Sequence, residues 1–132
     1  YTFPGSPTLY YGDEAGMEGF EDPMNRRGFP WGREDQRLLA LYRTLGKLRK
    51  ERRSLQSGDI TYLTADGGLL VYRRTLDGES TYTALNTGDT SRTVTLPWKN
   101  GFAMDAVSMQ QFWVRNGELR IDLPPCDGVV LV

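Results

Sequence analysis

After Gly58 the sequence is cut by turn-forming clusters too closely spaced for helices of ordinary length: ADGG (65–68), LDGE (76–79), NTGD (86–89), WKNG (98–101) and RNGE (115–118). Between them lie runs with a strand-like composition: DITYLT, GLLVYRRT, STYTALN, RTVTLP, FAMDAVS, QFWVRN, ELRIDLP and GVVLV. Short strands recurring at roughly 8 to 12 residue intervals with Gly, Asp, Asn and Pro between them indicate an antiparallel β-sandwich. The firmest single hairpin is RNGE, because Asn116-Gly117 suits a type I′ turn.

The first part of the chain obeys a different period. Over residues 33–53, Leu38, Leu41, Tyr42, Leu45 and Leu48 recur at spacings of three and four, while Arg37, Arg43, Lys47, Lys50 and Glu51 take the other faces. That pattern predicts an amphipathic helix. Glu34 and Asp35 near its start and KLRKERR near its end complement the helix dipole, and QSG closes it. Upstream, PGSP reads as a turn and TLYY (8–11) as a short buried strand ended by Gly12. Residues 12–32 show neither period and form a long loop, which in a compact domain is usually functional or disordered.

A strand, a loop and a helix do not close a fold by themselves. The strand's ladder groups need a neighbour, and the apolar stripe of the helix needs cover. The expectation is therefore that residues 1–55 are the last βα unit of a larger parallel α/β domain and that residues 56–132 form the sandwich, the boundary lying near Ser54 to Gly58. The start without Met fits the same reading, a piece of something longer. An orphaned strand and stripe further predict that the helix packs on the sandwich or on a second copy of the chain.

Composition then removes whole classes of function. The 132 residues are 39% hydrophobic and 25% charged, which is a globular balance. Sixteen Lys and Arg against 17 Asp and Glu leave a formal charge of -1, and this gives no electrostatic case for nucleic acid or an anionic membrane. No apolar run is long enough to span a bilayer, and the opening residues YTFPGSPTLYYGDE have neither the basic stretch nor the apolar run expected of a signal peptide. The one cysteine, Cys126, excludes an internal disulfide and fits a reducing compartment, although a secreted protein without disulfides would look the same. The location expected on this ground is the cytoplasm. There is no His, so Ser-His-Asp, Cys-His and His-metal chemistry are all excluded; neither a metal nor a cofactor is expected.

Catalysis by carboxylates would be the natural remainder, and the loop YYGDEAGMEGFEDPMNRRGFPWG (10–32) is crowded with them: Asp13, Glu14, Glu18, Glu21 and Asp22. Two carboxyls that work as a pair must face one another across the bond they act on. Asp13 and Glu14 are consecutive and would point to opposite faces of a continued strand. Their expected role is to organise the loop through backbone hydrogen bonds.

Here the motifs themselves become informative. PGSPTLYYGDEAGM, DPMNRRGFPW and LLALYRTLGKLRKERRSLQSGD resemble the end of α-amylase-family glycoside hydrolases (glycoside hydrolase family 13), in particular the cyclomaltodextrinase, neopullulanase and maltogenic amylase group. The likeness is tight over residues 1 to about 60 and holds only in plan beyond, down to the ending LRIDLPPCDGVVLV. Gly28 departs from it, since Pro is common there in relatives. The resemblance implies that residues 8–11 are the eighth strand of a (β/α)8 barrel, that the helix is the eighth barrel helix, and that the sandwich is domain C. It also implies retaining hydrolysis of α-1,4 or α-1,6 bonds in maltooligosaccharides, cyclodextrins or starch. The catalytic carboxylates it implies stand on earlier barrel strands, so this chain is expected to hold no catalytic residue and to be inactive alone, a structural domain of the intact enzyme.

By the same resemblance Asp22 and Arg26 are a sugar-contacting pair, one accepting and the other donating hydrogen bonds to vicinal hydroxyls; the plain alternative is a local salt bridge that steadies the loop. The basic run Lys47 to Arg53 is read as a solvated helix end rather than a nucleic-acid patch. Trp98, Phe102, Phe112 and Trp113 would form a sugar-stacking platform, and make the sandwich a carbohydrate-binding module, if they clustered on one exposed face; alternation along strands turns some of them into the core. Cys126 is read as packing, and Tyr10 and Tyr11 as structural.

Overall fold

The computed structural model describes residues 1–99 and 101–132, so the third residue of the WKNG turn lies outside the described residues. After a 3-10 turn at Asp13–Ala15 come two helices, α1 (Gln36–Glu51) and α2 (Arg53–Ser57). Eight strands follow: β1 (Asp59–Asp66), β2 (Leu69–Leu76), β3 (Glu79–Asn86), β4 (Arg92–Pro97), β5 (Phe102–Met104), β6 (Gln111–Trp113), β7 (Glu118–Leu123) and β8 (Asp127–Leu131). All pairs are antiparallel; one sheet has the order β1-β2-β3-β8, and the β4-β7 and β5-β6 ribbons supply the other layer.

The sandwich closes on side chains that alternate with exposed neighbours. Val94 and Leu96 of β4 and Leu119, Ile121 and Leu123 of β7 meet Leu69, Val71, Ala84 and Leu131 of the four-stranded sheet. This is the interdigitation that two stacked sheets require. The RNGE hairpin forms as expected: Asn116 and Gly117 have φ of 53° and 80°, and Arg115 and Glu118 exchange backbone hydrogen bonds of 2.9 and 3.0 Å. FAMDAVS yields a shorter strand than its composition predicts. The buried Asp105 carboxylate accepts from the amides of Val107, Ser108 and Val130 and from the Ser108 hydroxyl, and these bonds turn the chain.

Helix α1 starts three residues after the predicted position. The Asp35 side chain accepts from the Leu38 and Arg37 amides at 3.2 and 2.8 Å and so sets the N-cap. Those two bonds hold its carboxyl below the ordinary carboxylate range. At the other end Arg52 is extended, its guanidinium donating to Ser80 O (2.6 Å) and Thr81 Oγ1 (3.1 Å) of β3, and α2 begins beyond it. Leu48 of α1 and Leu55 of α2 pack with Val130 of β8, flanked by Leu45, Ala106 and Val132. The C-terminal half of α1 therefore packs on the sandwich at β8 and its flanks, while α2 lies against β2 and β3 of the four-stranded sheet. Among the described residues no helix is long and apolar enough to cross a membrane.

One expectation fails. TLYY (8–11) is not a strand, and Leu9, Tyr10 and Tyr11 are exposed. A strand persists only where its amides and carbonyls meet a neighbouring ladder, and none of the described strands runs beside this segment.

What holds the opening residues is a set of arginines. Arg74 of β2 is 1% exposed; its Nε and Nη2 donate to Gly58 O at 3.1 and 2.7 Å, and its Nη1 to Thr2 O at 3.0 Å. Arg49 of α1 donates to the carbonyls of Tyr1 (2.6 Å), Phe3 (2.9 Å) and Gly5. The Tyr72 and Thr2 hydroxyls lie 2.6 Å apart, and the Phe3 ring meets Tyr72 edge-on at 5.1 Å. Gly58, where helix gives way to sheet, has no space for a side chain: a Cβ there would stand 2.4 Å from Ser54 O and 2.7 Å from Thr75 O.

Two predictions follow from this packing. Replacing Arg74 by Met leaves the Gly58 and Thr2 carbonyls without a donor, and urea unfolding should show a loss of about 2 kcal/mol. Arg120→Met, on the exposed face of β7, should shift the midpoint little, and equal losses would refute the difference. Glu79 accepts from the Ser54 amide at 2.7 Å beside Arg52; desolvation raises its pKa, but Ser54 and the two neighbouring arginines outweigh it, and the net shift is downward from 4.5. Its contribution to stability is thus present above that value and lost as pH falls through the depressed one. Glu79→Gln should flatten the acid limb of stability against pH.

Candidate active-site wall

Residues 10–32 fold as a loop anchored by its own backbone. Gly12 and Gly16 flank the 3-10 turn in the left-handed region, and the Asp35 amide donates to Ala15 O at 3.0 Å, fastening the loop to the cap of α1. The carboxylate that organises this region is Asp35; the Asp13 and Glu14 side chains make no hydrogen bond among the described residues, contrary to the role expected of them. These two do point apart. Asp13 lines a cavity of about 330 Å³ with Tyr10, Tyr11, Asn25 and Arg27, while Glu14 lines a separate one beside α1.

Asp22 and Arg26 meet in a two-pronged pair, Nε to Oδ1 at 3.1 Å and Nη2 to Oδ2 at 2.7 Å. The turn between them is closed by backbone bonds from Met24 to Glu21 and from Arg26 to Pro23. Both partners are open to solvent, Arg26 at 74% and Asp22 at 58% of their side-chain surface. An ion pair that exposed adds little to stability, and its outer donors and acceptors are free to meet a ligand.

A row of rings stands on the same loop: Tyr11 meets Phe29 at 6.0 Å, Phe29 meets Trp31 at 4.6 Å, and the Tyr11 hydroxyl donates to Arg27 O. Tyr10 and Tyr11, expected to be structural, are both exposed and line one cavity together. Asn25 is the residue that sequence reasoning passed over. Its Oδ1 is buried without a partner among the described residues, and its only sequence signal is its place inside DPMNRR. The carboxyls with displaced pKa values, Glu34, Asp35 and Glu79, are all displaced downward, the reverse of what a general acid requires.

The sandwich aromatics divide as alternation demands. Phe112 and Trp98 pack against the core, whereas the cross-strand partners Phe102 and Trp113 face outward, 44% and 64% exposed, with ring centres 5.4 Å apart. Cys126 is exposed on the β7–β8 turn with φ of 53°, so it is not a packing residue. Much of the basic run is engaged within the chain: Lys47 with Glu51, Arg49 with the opening carbonyls, Arg52 with β3, and Arg53 with Asp77.

Comparison with known proteins agrees with this architecture. The sequence model of the alpha-amylase C-terminal domain matches residues 58–123. An amylopullulanase of Thermoanaerobacter thermohydrosulfuricus is 34% identical over 98% of the chain, and a cyclomaltodextrinase of Geobacillus thermopakistaniensis is 33% identical over 94%. The chain spans 10% of the first and 22% of the second. The crystal structure of an α-amylase from Geobacillus thermoleovorans, complexed with acarbose, matches 98% of this chain with 30% of its own, at a TM-score of 0.85 and 29% identity. The chain belongs to the α-amylase family of glycoside hydrolases and carries that family's C-terminal domain.

Proposed function

We propose that this chain is the C-terminal part of a retaining α-glucan hydrolase acting on maltooligosaccharides, cyclodextrins or starch. In this reading the catalytic carboxylates lie outside it, and the chain supplies a structural domain and one wall of the substrate cleft. The observation that carries it is the exposed Asp22–Arg26 fork on the same loop as the Tyr11-Phe29-Trp31 row. Sugars need a carboxylate and a guanidinium for paired hydroxyls together with flat rings for their C–H faces, and the loop displays both. The exposed Phe3, Leu9, Phe20, Met24 and Trp31 further suit a surface that faces the remainder of a barrel rather than water. An α-amylase relative solved with acarbose supports the substrate class, and the unpaired Cys126 favours a reducing, cytoplasmic setting.

A second reading, a carbohydrate-binding module, draws on the outward Phe102–Trp113 pair. The two readings differ in where sugar binds and are compatible in one enzyme.

The chain by itself should leave maltotriose and cyclodextrin intact in a reducing-sugar assay, and measurable hydrolysis would refute its inactivity. In the full-length enzyme, Asp22→Asn or Arg26→Ala should raise KM for maltooligosaccharides about tenfold, equal to about 1.4 kcal/mol. Because the pair is so exposed, Tm should stay unchanged. A fall in Tm with KM constant would return the pair to the role of a loop-steadying salt bridge.

A further inference from the structure

The sandwich has an open end where the β2–β3 hairpin, the end of β4 and the turn before β7 come together. There a cleft of about 690 Å³ is lined by Arg73, Ser80, Tyr82, Trp98 and Lys99, together with backbone from the flanking turns. The volume falls within the roughly 300–1,000 Å³ range of small-molecule sites. Arg73 and Tyr82 are cross-strand partners on β2 and β3, and the guanidinium carbon lies 6.0 Å from the Tyr82 ring centre. The Trp98 ring stands 5.1 Å from Tyr82, tilted by 48°, and its position is fixed by a 3.0 Å bond from its amide to Gly117 O.

The Ser80 hydroxyl meets that of Thr75 at 3.3 Å, but the central cation of this cleft is under-used. The Arg73 side chain makes no hydrogen bond or ion pair among the described residues, and its Nε is buried without a partner. A buried donor left unpaired is unfavourable and marks a place where an acceptor belongs. The neighbouring Arg74 is fully engaged, which shows that the fold satisfies arginines where it uses them structurally.

We propose that this cleft is an accessory α-glucan site on the sandwich, separate from the cleft wall at Asp22 and Arg26. The lining combines two aromatic rings with two cationic donors and the hydroxyls of Ser80 and Tyr82, and among the described residues it has no carboxylate. An inorganic anion would use the cations and leave the rings idle; a purely apolar ligand would strand the Arg73 donors. A glucosyl unit satisfies both, setting its C–H face on Trp98 or Tyr82 and its hydroxyl rim on Arg73, Lys99 and Ser80. The choice of an α-glucan rests on the substrate class proposed above. The outward Phe102–Trp113 pair is the competing location.

The three tryptophans, Trp31, Trp98 and Trp113, make the test direct, because each contributes one indole N–H resonance. Maltoheptaose titrated into the labelled chain should move the Trp98 indole and the Tyr82 amide and leave the Trp113 indole in place. Arg73→Gln, which keeps both rings, should weaken binding fivefold or more, with an unchanged amide spectrum elsewhere showing that the variant is folded. No shift at Trp98 up to saturation of the sugar would overturn the site. A shift confined to Trp113 would overturn it in favour of the hairpin, and a response of Trp98 to sodium sulfate without one to maltoheptaose would make it an anion site instead. None of these results depends on the KM of the Asp22 and Arg26 variants, so the two readings fail separately.

Discussion

The fold is organised around the buried guanidinium of Arg74. Removing a charge from water is expensive, and among the described residues Arg74 forms no salt bridge, Asp59 acting on it only through space; three charge-assisted bonds to the Thr2 and Gly58 carbonyls do most of the compensating. Those carbonyls belong to the opening segment and to the hinge between α2 and β1, while the arginine belongs to the sheet. One side chain thereby fastens three parts of the chain that the backbone leaves far apart. Gly58 must be a glycine for the same reason, since its carbonyl reaches Arg74 only if its α-carbon sits against Ser54 and Thr75.

Holding the opening segment fixes the loop that follows it. Arg49 takes residues 1–5 from the helix side, and Asp35 takes the far end of the 3-10 turn through Ala15. Between these anchors the loop is free of the core, and its rings and the Asp22–Arg26 fork turn outward. A rigid frame carrying an exposed polar and aromatic loop is the arrangement in which binding residues are commonly found. The accessory cleft lies on the sandwich itself, where Tyr82 and Trp98 pack against the core and are only half covered.

The sandwich was legible in the sequence because its signals are local. Asn116-Gly117 dictates its own turn, and Leu119, Ile121 and Leu123 declare a buried face by spacing alone. Membership of the α-amylase family was legible through motifs in residues 1–60. What was not legible depends on distant partners. VYRRT gives no sign that Arg74 is buried and Arg73 is not; only the strand's two faces, one toward the helices and one toward the open end, separate them. TLYY has a strand's composition, yet a ladder needs a neighbour and this segment lacks one. The fates of Phe102, Phe112 and Trp113 follow from the phase of two short strands, which composition does not set, and that of Trp98 from the bond that its amide makes to Gly117 O beyond the end of β4.

The composition break near residue 58 marks where helix yields to strand, but it is not where the contacts thin out. Arg74 and Tyr72 reach back to Thr2, Glu79 caps the Ser54 amide, and Leu55 shares a cluster with Val130. A sandwich grafted onto another enzyme from Gly58 onward would arrive with a buried cation missing one of its two carbonyl partners and a sheet face stripped of its helices. The transplantable unit is therefore larger than the stretch that looks like a domain: for recombination among such enzymes, natural or engineered, the workable joint lies upstream of the opening strap.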